Sequence, residues 1–207
     1  MRRPRFIAEQ ARDARGPIGR LIAFIMARET WAQNIRAIEA LGIEVGDHIL
    51  DVGCGHGRSL ATLAARAPNG GVTGVDPSEL MAEIAVERNR ALVKAGRVDV
   101  AVAGVEALPF ADGAFDKALC VHVLYFWEDL DVALREIARV LKPGGRLALL
   151  FRTDADKAAV KSFPAEVYRF LPLDRVMAAL DDAGFDPVQS DHRLEPVLVI
   201  ARKRSNT

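Results

Sequence analysis

The chain is short of cysteine, of net charge and of long apolar runs, and each shortage removes a class of function. Only Cys54 and Cys120 occur among 207 residues. Two cysteines make no disulfide framework, and neither sits in a C-x-x-C pair of the kind that builds a thiolate zinc site. Lys plus Arg and Asp plus Glu stand at 28 each, a formal net charge of zero. A dedicated nucleic-acid binder carries a basic excess, so no nucleic-acid partner is expected. The apolar stretch from Ile18 to Met26 is short and broken by Arg20, so no integral membrane segment is expected. The charged start is not followed by an h-region with a small-residue cleavage site, and a reducing cytoplasm is the expected compartment. Internal repeats and low-complexity tracts are also missing. Half of the chain is hydrophobic and 27% is charged, which suits one folded domain with a real core.

Arginines do gather at the N-terminus: Arg2, Arg3, Arg5, Arg12, Arg15 and Arg20, diluted by Glu9 and Asp13. They read as the solvated face of a leading helix, with contact to a membrane surface or an anionic partner as the alternative. Residues 17 to 41 read as helix: Pro17 suits a first helical position, and Ile18, Leu21, Ile22, Ile25 and Met26 share one face. Trp31, Ile35, Ile38 and Leu41 continue the period into a second helix that Gly42 ends.

After Gly46 the pattern alternates. Strands are expected at His48–Val52, Val72–Val75, Val98–Val102, Asp116–Val121 and Arg146–Phe151. Helices are expected at Ser59–Ala67, from Ser78 to about Ala95, at Asp129–Leu141 and at Leu173–Ala183, with Pro68-Asn69-Gly70-Gly71 and Lys142-Pro143-Gly144-Gly145 as stops. Such alternation implies an α/β fold, a parallel sheet wrapped by helices. Two last strands, Val188–Leu194 and Val197–Arg202, are joined by a short turn near Glu195-Pro196. A parallel crossover needs about a dozen residues, so this pair is antiparallel and puts a reversed strand in the sheet.

The most informative stretch is Ile49-Leu50-Asp51-Val52-Gly53-Cys54-Gly55-His56-Gly57-Arg58. A strand that turns into a helix through glycines lets main chain approach a ligand closely, and the helix N-terminus offers unpaired N–H groups. The spacing is G-x-G-x-G, and Arg58 stands where a dinucleotide site has its third glycine. About twenty residues on, Val72-Thr73-Gly74-Val75-Asp76 is a second strand ending in an acid, suited to hold both hydroxyls of a ribose.

On these residues the chain resembles the class I S-adenosylmethionine-dependent methyltransferases, over about residues 45 to 152. Further matching segments are Pro77-Ser78-Glu79-Leu80-Met81, Glu106-Ala107-Leu108-Pro109-Phe110, Phe115-Asp116 and Glu136-Ile137-Ala138-Arg139-Val140-Leu141-Lys142-Pro143-Gly144-Gly145. The resemblance implies a Rossmann-like seven-stranded, mostly parallel sheet with an antiparallel C-terminal hairpin and helices on both faces. It implies S-adenosylmethionine as cofactor, its methionine part on Asp51, Gly53, Cys54, Gly55 and Gly57 and its ribose on Asp76. Pro77 and Met81 then line the adenine, and Val121 and His122 complete the cofactor site. The family often has an acid before the segment at Val105; this chain has Gly104, which leaves the adenine edge to Gly104, Val105 and Glu106. Residues 1–44 are expected as a helical lid or extension and 45–207 as the cofactor-binding domain.

A methyl sulfonium is already activated, so the enzyme mainly holds a nucleophile in line with the methyl–sulfur bond. No catalytic dyad is needed, and none stands out. His122 is the candidate base, with Tyr125 beside it. Tyr125, Phe126, Trp127 and Arg152 are the candidate acceptor pocket, and the segment Phe163–Leu171 is its cap. Both access segments are short, which favours a small-molecule acceptor; no metal is expected, and the oligomeric state is open. The rival readings are a methyltransferase for a lipid or quinone at a membrane surface, a non-catalytic cofactor-binding module, and a nicotinamide-dependent oxidoreductase.

Overall fold

The structure is a computed structural model that describes residues 4–12, 14–16, 19–20, 30–191 and 195–205. The expectations for Arg2, Arg3, Asp13, Pro17, Ile18, Leu21, Ile22, Ile25, Met26 and Leu194 lie outside these residues. The described elements are α1 (Arg5–Arg12), α2 (Trp31–Ala40), β1 (His48–Val52), α3 (Arg58–Arg66), β2 (Gly71–Asp76), α4 (Glu79–Arg88), α5 (Arg90–Lys94), β3 (Val98–Val102), β4 (Phe115–Val121), α6 (Leu130–Val140), β5 (Leu141–Phe151), α7 (Lys157–Ser162), α8 (Leu173–Asp182), β6 (Phe185–Asp191) and β7 (Val197–Lys203). Short 3-10 turns occupy Val105–Ala107 and Leu124–Phe126.

Seven strands form one sheet in the order β3-β2-β1-β4-β5-β7-β6. The first five are parallel, and β7 runs antiparallel to both β5 and β6. The reason is visible along each strand. Leu50, Val52, Leu147, Leu149, Phe151, Val197 and Val199 point to one core, with Leu134 and Ile137 of α6 and Val176 and Leu180 of α8. Their neighbours Ile49, Leu119, Ala148, Leu150, Leu198 and Ile200 point to the other, with Ile38 of α2 and Leu60 and Leu63 of α3. Alternate side chains face opposite ways, and both faces are apolar, so both need helices. Each fully buried Leu or Ile contributes about 1.5–3 kcal/mol.

Four details differ from the sequence reading. The helix expected from Ser78 to Ala95 is broken at Asn89 into α4 and α5. Asn89 is buried, and its amide donates to the carbonyls of Gly57 and Ala85, both at 2.8 Å. β5 begins at Leu141 rather than Arg146, because Phe115 pairs with Leu141 and Lys117 with Arg146, so residues 142–145 loop out of the ladder. β6 begins at Phe185, with Pro187 on the outer edge of the sheet where proline removes no needed donor. α7 was not foreseen; Asp156 caps it by accepting from the Ala159 N–H at 2.9 Å.

The parallel half divides between β1 and β4: β2 and β3 lie on one side, β5 on the other. Chain leaving the carboxyl ends of β1 and β4 therefore departs in opposite directions and opens a crevice.

Candidate active site

A cleft of about 470 Å³ lies at that crevice, lined by residues that follow β1, β2, β3 and β4. The loop after β1 is tied down first. The N–H groups of Gly53 and Cys54 both donate to the Val75 carbonyl, at 2.7 and 3.0 Å, which anchors the loop to β2. Gly53, Gly55 and Gly57 all take left-handed φ, at 69°, 53° and 70°, but their surroundings differ. A Cβ at Gly53 would lie 2.3 Å from Val123 Cγ1, and one at Gly57 would lie 2.7 Å from Ala85 Cβ. At Gly55 nothing stands within 4 Å. The first and third glycines serve packing; the second leaves bare main chain facing open space.

Two buried carboxylates flank this loop. Asp76 Oδ2 accepts from the Gly55 N–H at 2.9 Å, and Oδ1 accepts from the Ser78 N–H at 3.0 Å. Asp51 lies behind the loop, its carboxylate bonded to the Ser59 hydroxyl of α3. Burial pushes Asp51 up to about 7, against the Ser59 hydrogen bond and with the like charge of Asp76 adding to the rise. A buried carboxylate of this kind is stabilised by an incoming cation. Bare main chain, a carboxylate at the end of β2 and a second, cation-seeking carboxylate are a donor and acceptor set that fits S-adenosylmethionine.

Pro77, Met81, Ala103, Gly104, Val105 and Glu106 line the far end of the cleft. Glu106 Oε1 accepts from the Glu128 N–H at 2.9 Å. The loop that carries these residues is clamped from α6, a role the sequence did not reveal. Glu136 accepts from the Leu108 N–H at 2.9 Å, while Arg139 donates to the carbonyls of Leu108 (3.0 Å) and Phe110 (2.8 Å) and to Asp112 (2.6 Å). The described part of the N-terminus closes the same end: Gln10, Ala11, Arg12 and Ala14 line the cleft, and the Ser78 hydroxyl donates to the Ala14 carbonyl at 2.9 Å.

Val121 and His122 reach the cleft from the end of β4. His122 has φ 59°, left-handed and unusual for a non-glycine residue. Its Nδ1 lies 2.9 Å from the Tyr125 hydroxyl and its Nε2 lies 2.5 Å from Gln33 Oε1 of α2. Burial, with the Arg152 charge adding, lowers it to about 4. His56 is likewise lowered to about 4, by burial and then by Arg88 and Arg58.

Of the residues expected to form the acceptor pocket, Phe126 and Trp127 line the cleft; Tyr125 and Arg152 do not. Tyr125 is buried against Tyr168 and Phe170, with ring centroids 5.7 and 5.1 Å apart, and Phe163 lies 4.6 Å from Tyr168. These rings fill one another's space. Arg152 is paired with Asp156. Asp51 and Gly57 likewise stand behind the lining rather than in it. Trp31, Asn34, Arg58 and Ser59 do line it, and Arg58 stacks over Trp31 at 4.1 Å. No local signal marked Trp31 or Asn34. Cys54 and Cys120 are free and buried, and burial raises both thiols well above the ordinary range. Among the described residues no helix is long and apolar enough to cross a membrane.

Residues 50–149 match the sequence model of a family described as a methyltransferase domain. The chain is 35% identical over 157 residues to O-methyltransferase rstn1 of Aspergillus nomiae, covering 73% of this chain and 69% of that protein. It is 33% identical over 171 residues to the uncharacterized methyltransferase YdaC of Bacillus subtilis, covering 81% of this chain and 87% of that one. It spans a smaller share of another related O-methyltransferase, 41% of its length. Among solved structures, geranyl diphosphate C-methyltransferase from Streptomyces coelicolor A3(2) has the same fold, with TM-score 0.72, 19% identity, and coverage of 93% of this chain and 86% of that one. The chain belongs to the class I S-adenosylmethionine-dependent methyltransferases, and S-adenosylmethionine is its cofactor.

Proposed function

We propose that the enzyme methylates an oxygen of a small-molecule acceptor, in the cytoplasm, without nucleic acid as a partner. When bound, the cofactor supplies an activated methyl group on a sulfonium. Asp76 holds the ribose hydroxyls, the open main chain at Gly55 receives the methionine portion, and Asp51 balances its positive charge from behind the loop. Pro77 and Met81 form apolar walls for the adenine, and Gly104, Val105 and Glu106 meet its edge. The described part of residues 1–44 acts as a lid over the domain at 45–207. Phe126, Trp127 and His122 face the acceptor. The oxygen assignment draws on the related O-methyltransferase rstn1.

One observation carries this reading: Asp76 ends β2 with one oxygen on the Gly55 N–H, so the sugar-binding acid and the bare loop form one surface. Aligning the acceptor with the methyl–sulfur bond supplies about 7–11 kcal/mol of barrier lowering by proximity alone. The test is calorimetric titration with adenosylhomocysteine and with NAD, followed by a transfer screen of metabolites with labelled cofactor. Adenosylhomocysteine binds and NAD does not. Failure of a folded sample to bind adenosylhomocysteine would favour a non-catalytic module. A lipid or quinone acceptor draws on α1, where Phe6 is 55% exposed beside Arg5; liposome flotation of the protein decides that alternative.

A further inference from the structure

Charge is distributed unevenly along the cleft. Asp76 ends β2, and Glu106 and Glu128 line the far end. Among the described residues the lining holds two arginines, Arg12 and Arg58, and no lysine. His56 and His122 line it too, but burial lowers both to about 4, so they are neutral at pH 7. Arg12 belongs to the N-terminal segment, which is tied to Ser78, beyond Asp76, through the Ala14 carbonyl. Arg58 is the cation at the glycine-loop end. It is the first residue of α3, directly after Gly57. Its guanidinium carbon lies 4.1 Å from the centre of the Trp31 ring, and both side chains line the cleft. An aromatic face holds a guanidinium without using up its N–H donors. Arginine has five of them, so a ligand carboxylate joins the contacts Arg58 already makes. The next residue, Ser59, donates its hydroxyl to Asp51. Two successive residues of α3 therefore lead to a cation and to a carboxylate. Those charges complement the carboxylate and the ammonium of an α-amino acid.

We propose that Arg58, steadied against Trp31, holds the carboxylate of the cofactor's methionine portion, and that this contact makes the site demand a complete amino-acid tail. The proposal rests on the methyltransferase site described above and supplies the partner for the charge left unmatched there, since Asp51 answers the ammonium and Asp76 the ribose. Both acids are buried, at 4% and 8% exposure. A tail carboxylate brought between them without a cation would meet like charge in a poorly solvated place. A guanidinium offers a planar fork that matches a carboxylate with two parallel hydrogen bonds, which an ammonium does not. Trp31 comes from α2, so the same contact ties the N-terminal wall of the cleft to the cofactor's tail. A ligand that keeps the nucleoside and the ammonium but lacks the carboxylate loses what Arg58 contributes and nothing else.

The test is calorimetric titration of the full chain with adenosylhomocysteine and with its decarboxylated analogue, which keeps the ammonium. The unmodified protein is expected to favour adenosylhomocysteine by about 10- to 150-fold, the range for a hydrogen bond to a charged group. Arg58→Met keeps an unbranched side chain against Trp31 and removes the charge. It is expected to lose that same factor for adenosylhomocysteine and to bind the decarboxylated analogue as the unmodified protein does. Arg58→Lys, with the charge but not the fork, falls between. Trp31→Leu releases the guanidinium and gives a smaller loss, again confined to the ligand that has the carboxylate. A melting curve of each variant without ligand establishes that it is folded; if Arg58→Met is not, Arg58→Lys and the ligand pair on the unmodified protein decide. Equal affinity of the unmodified protein for the two ligands overturns the proposal. So does an equal loss for both in Arg58→Met, which would show that Arg58 acts through the fold alone. Failure of the folded, unmodified protein to bind adenosylhomocysteine instead removes the site reading on which the proposal rests.

Discussion

Replacing each loop glycine with alanine separates residues that look equivalent in the sequence. At Gly57 the new Cβ sits at φ 70°, 2.7 Å from Ala85 Cβ, 2.8 Å from Ala85 Cα and 2.9 Å from Asn89 Nδ2. The left-handed conformation costs about 1–2 kcal/mol, and forcing α4 outward costs about 1–3 kcal/mol more. The sum, about 2–5 kcal/mol, lowers the melting temperature of a chain this size by about 4–20 °C. At Gly55 the φ is 53° and nothing lies within 4 Å, so only the conformational cost applies, about 1–2 kcal/mol and about 2–8 °C. The same Cβ, however, occupies the space above the bare main chain. An overlap costing about 1–3 kcal/mol weakens adenosylhomocysteine about 5- to 150-fold. Thermal melts and calorimetric titration of both variants read the two effects apart. Equal melting temperatures, or full affinity in Gly55→Ala, would refute the assignment of packing to one glycine and ligand approach to the other.

Asp76→Ala removes the carboxylate proposed to hold two sugar hydroxyls and is expected to weaken adenosylhomocysteine by about 10²-fold or more, with a smaller loss of stability as the Gly55 and Ser78 N–H groups lose their partner; undiminished affinity counts against the site. Asp51 titrates near 7 in the fold against an ordinary 3.8, so its contribution to stability is full below the lower value and is lost as pH rises through the higher one. Asp51→Asn therefore flattens that decline, seen in urea titrations at about pH 5 and 8. In the unmodified protein, placing the ammonium group of adenosylhomocysteine near Asp51 is expected to release a proton near neutral pH, measurable as a buffer-dependent heat of binding, and affinity rises with pH up to about 7. Arg139→Ala frees the Leu108 and Phe110 carbonyls and is expected to cost about 1–3 kcal/mol and lower cofactor affinity; a change in stability with unchanged affinity would show that the clamp does not position Gly104 to Glu106.

Much of the site was legible because its signals are local. The glycine spacing and the acids at the ends of β1 and β2 lie within short windows, and the antiparallel pairing of β7 followed from a turn too short for a crossover. The aromatic residues after β4 were harder to place. Phe126 and Trp127 reach the cleft, but Tyr125, between His122 and Phe126 in sequence, turns inward against Tyr168 and Phe170. Its direction depends on rings more than forty residues away, which no periodicity encodes. Asn89 behaved likewise: its sequence context is helical, yet its amide leaves the helix pattern to bond Gly57 across the loop.

The sequence by itself determined most of the strands and helices, the antiparallel pairing of the last two strands, and the acid and glycine residues at the carboxyl ends of β1 and β2, because hydrophobic period, breakers and turn length act between near neighbours. Tertiary structure alone decided that Gly55 and not Gly57 faces the cleft, that Arg139 braces the loop after β3, and that His122 sits between the Tyr125 hydroxyl and Gln33. Each of these depends on a packing contact or a hydrogen bond whose two ends are brought together only when the sheet is assembled.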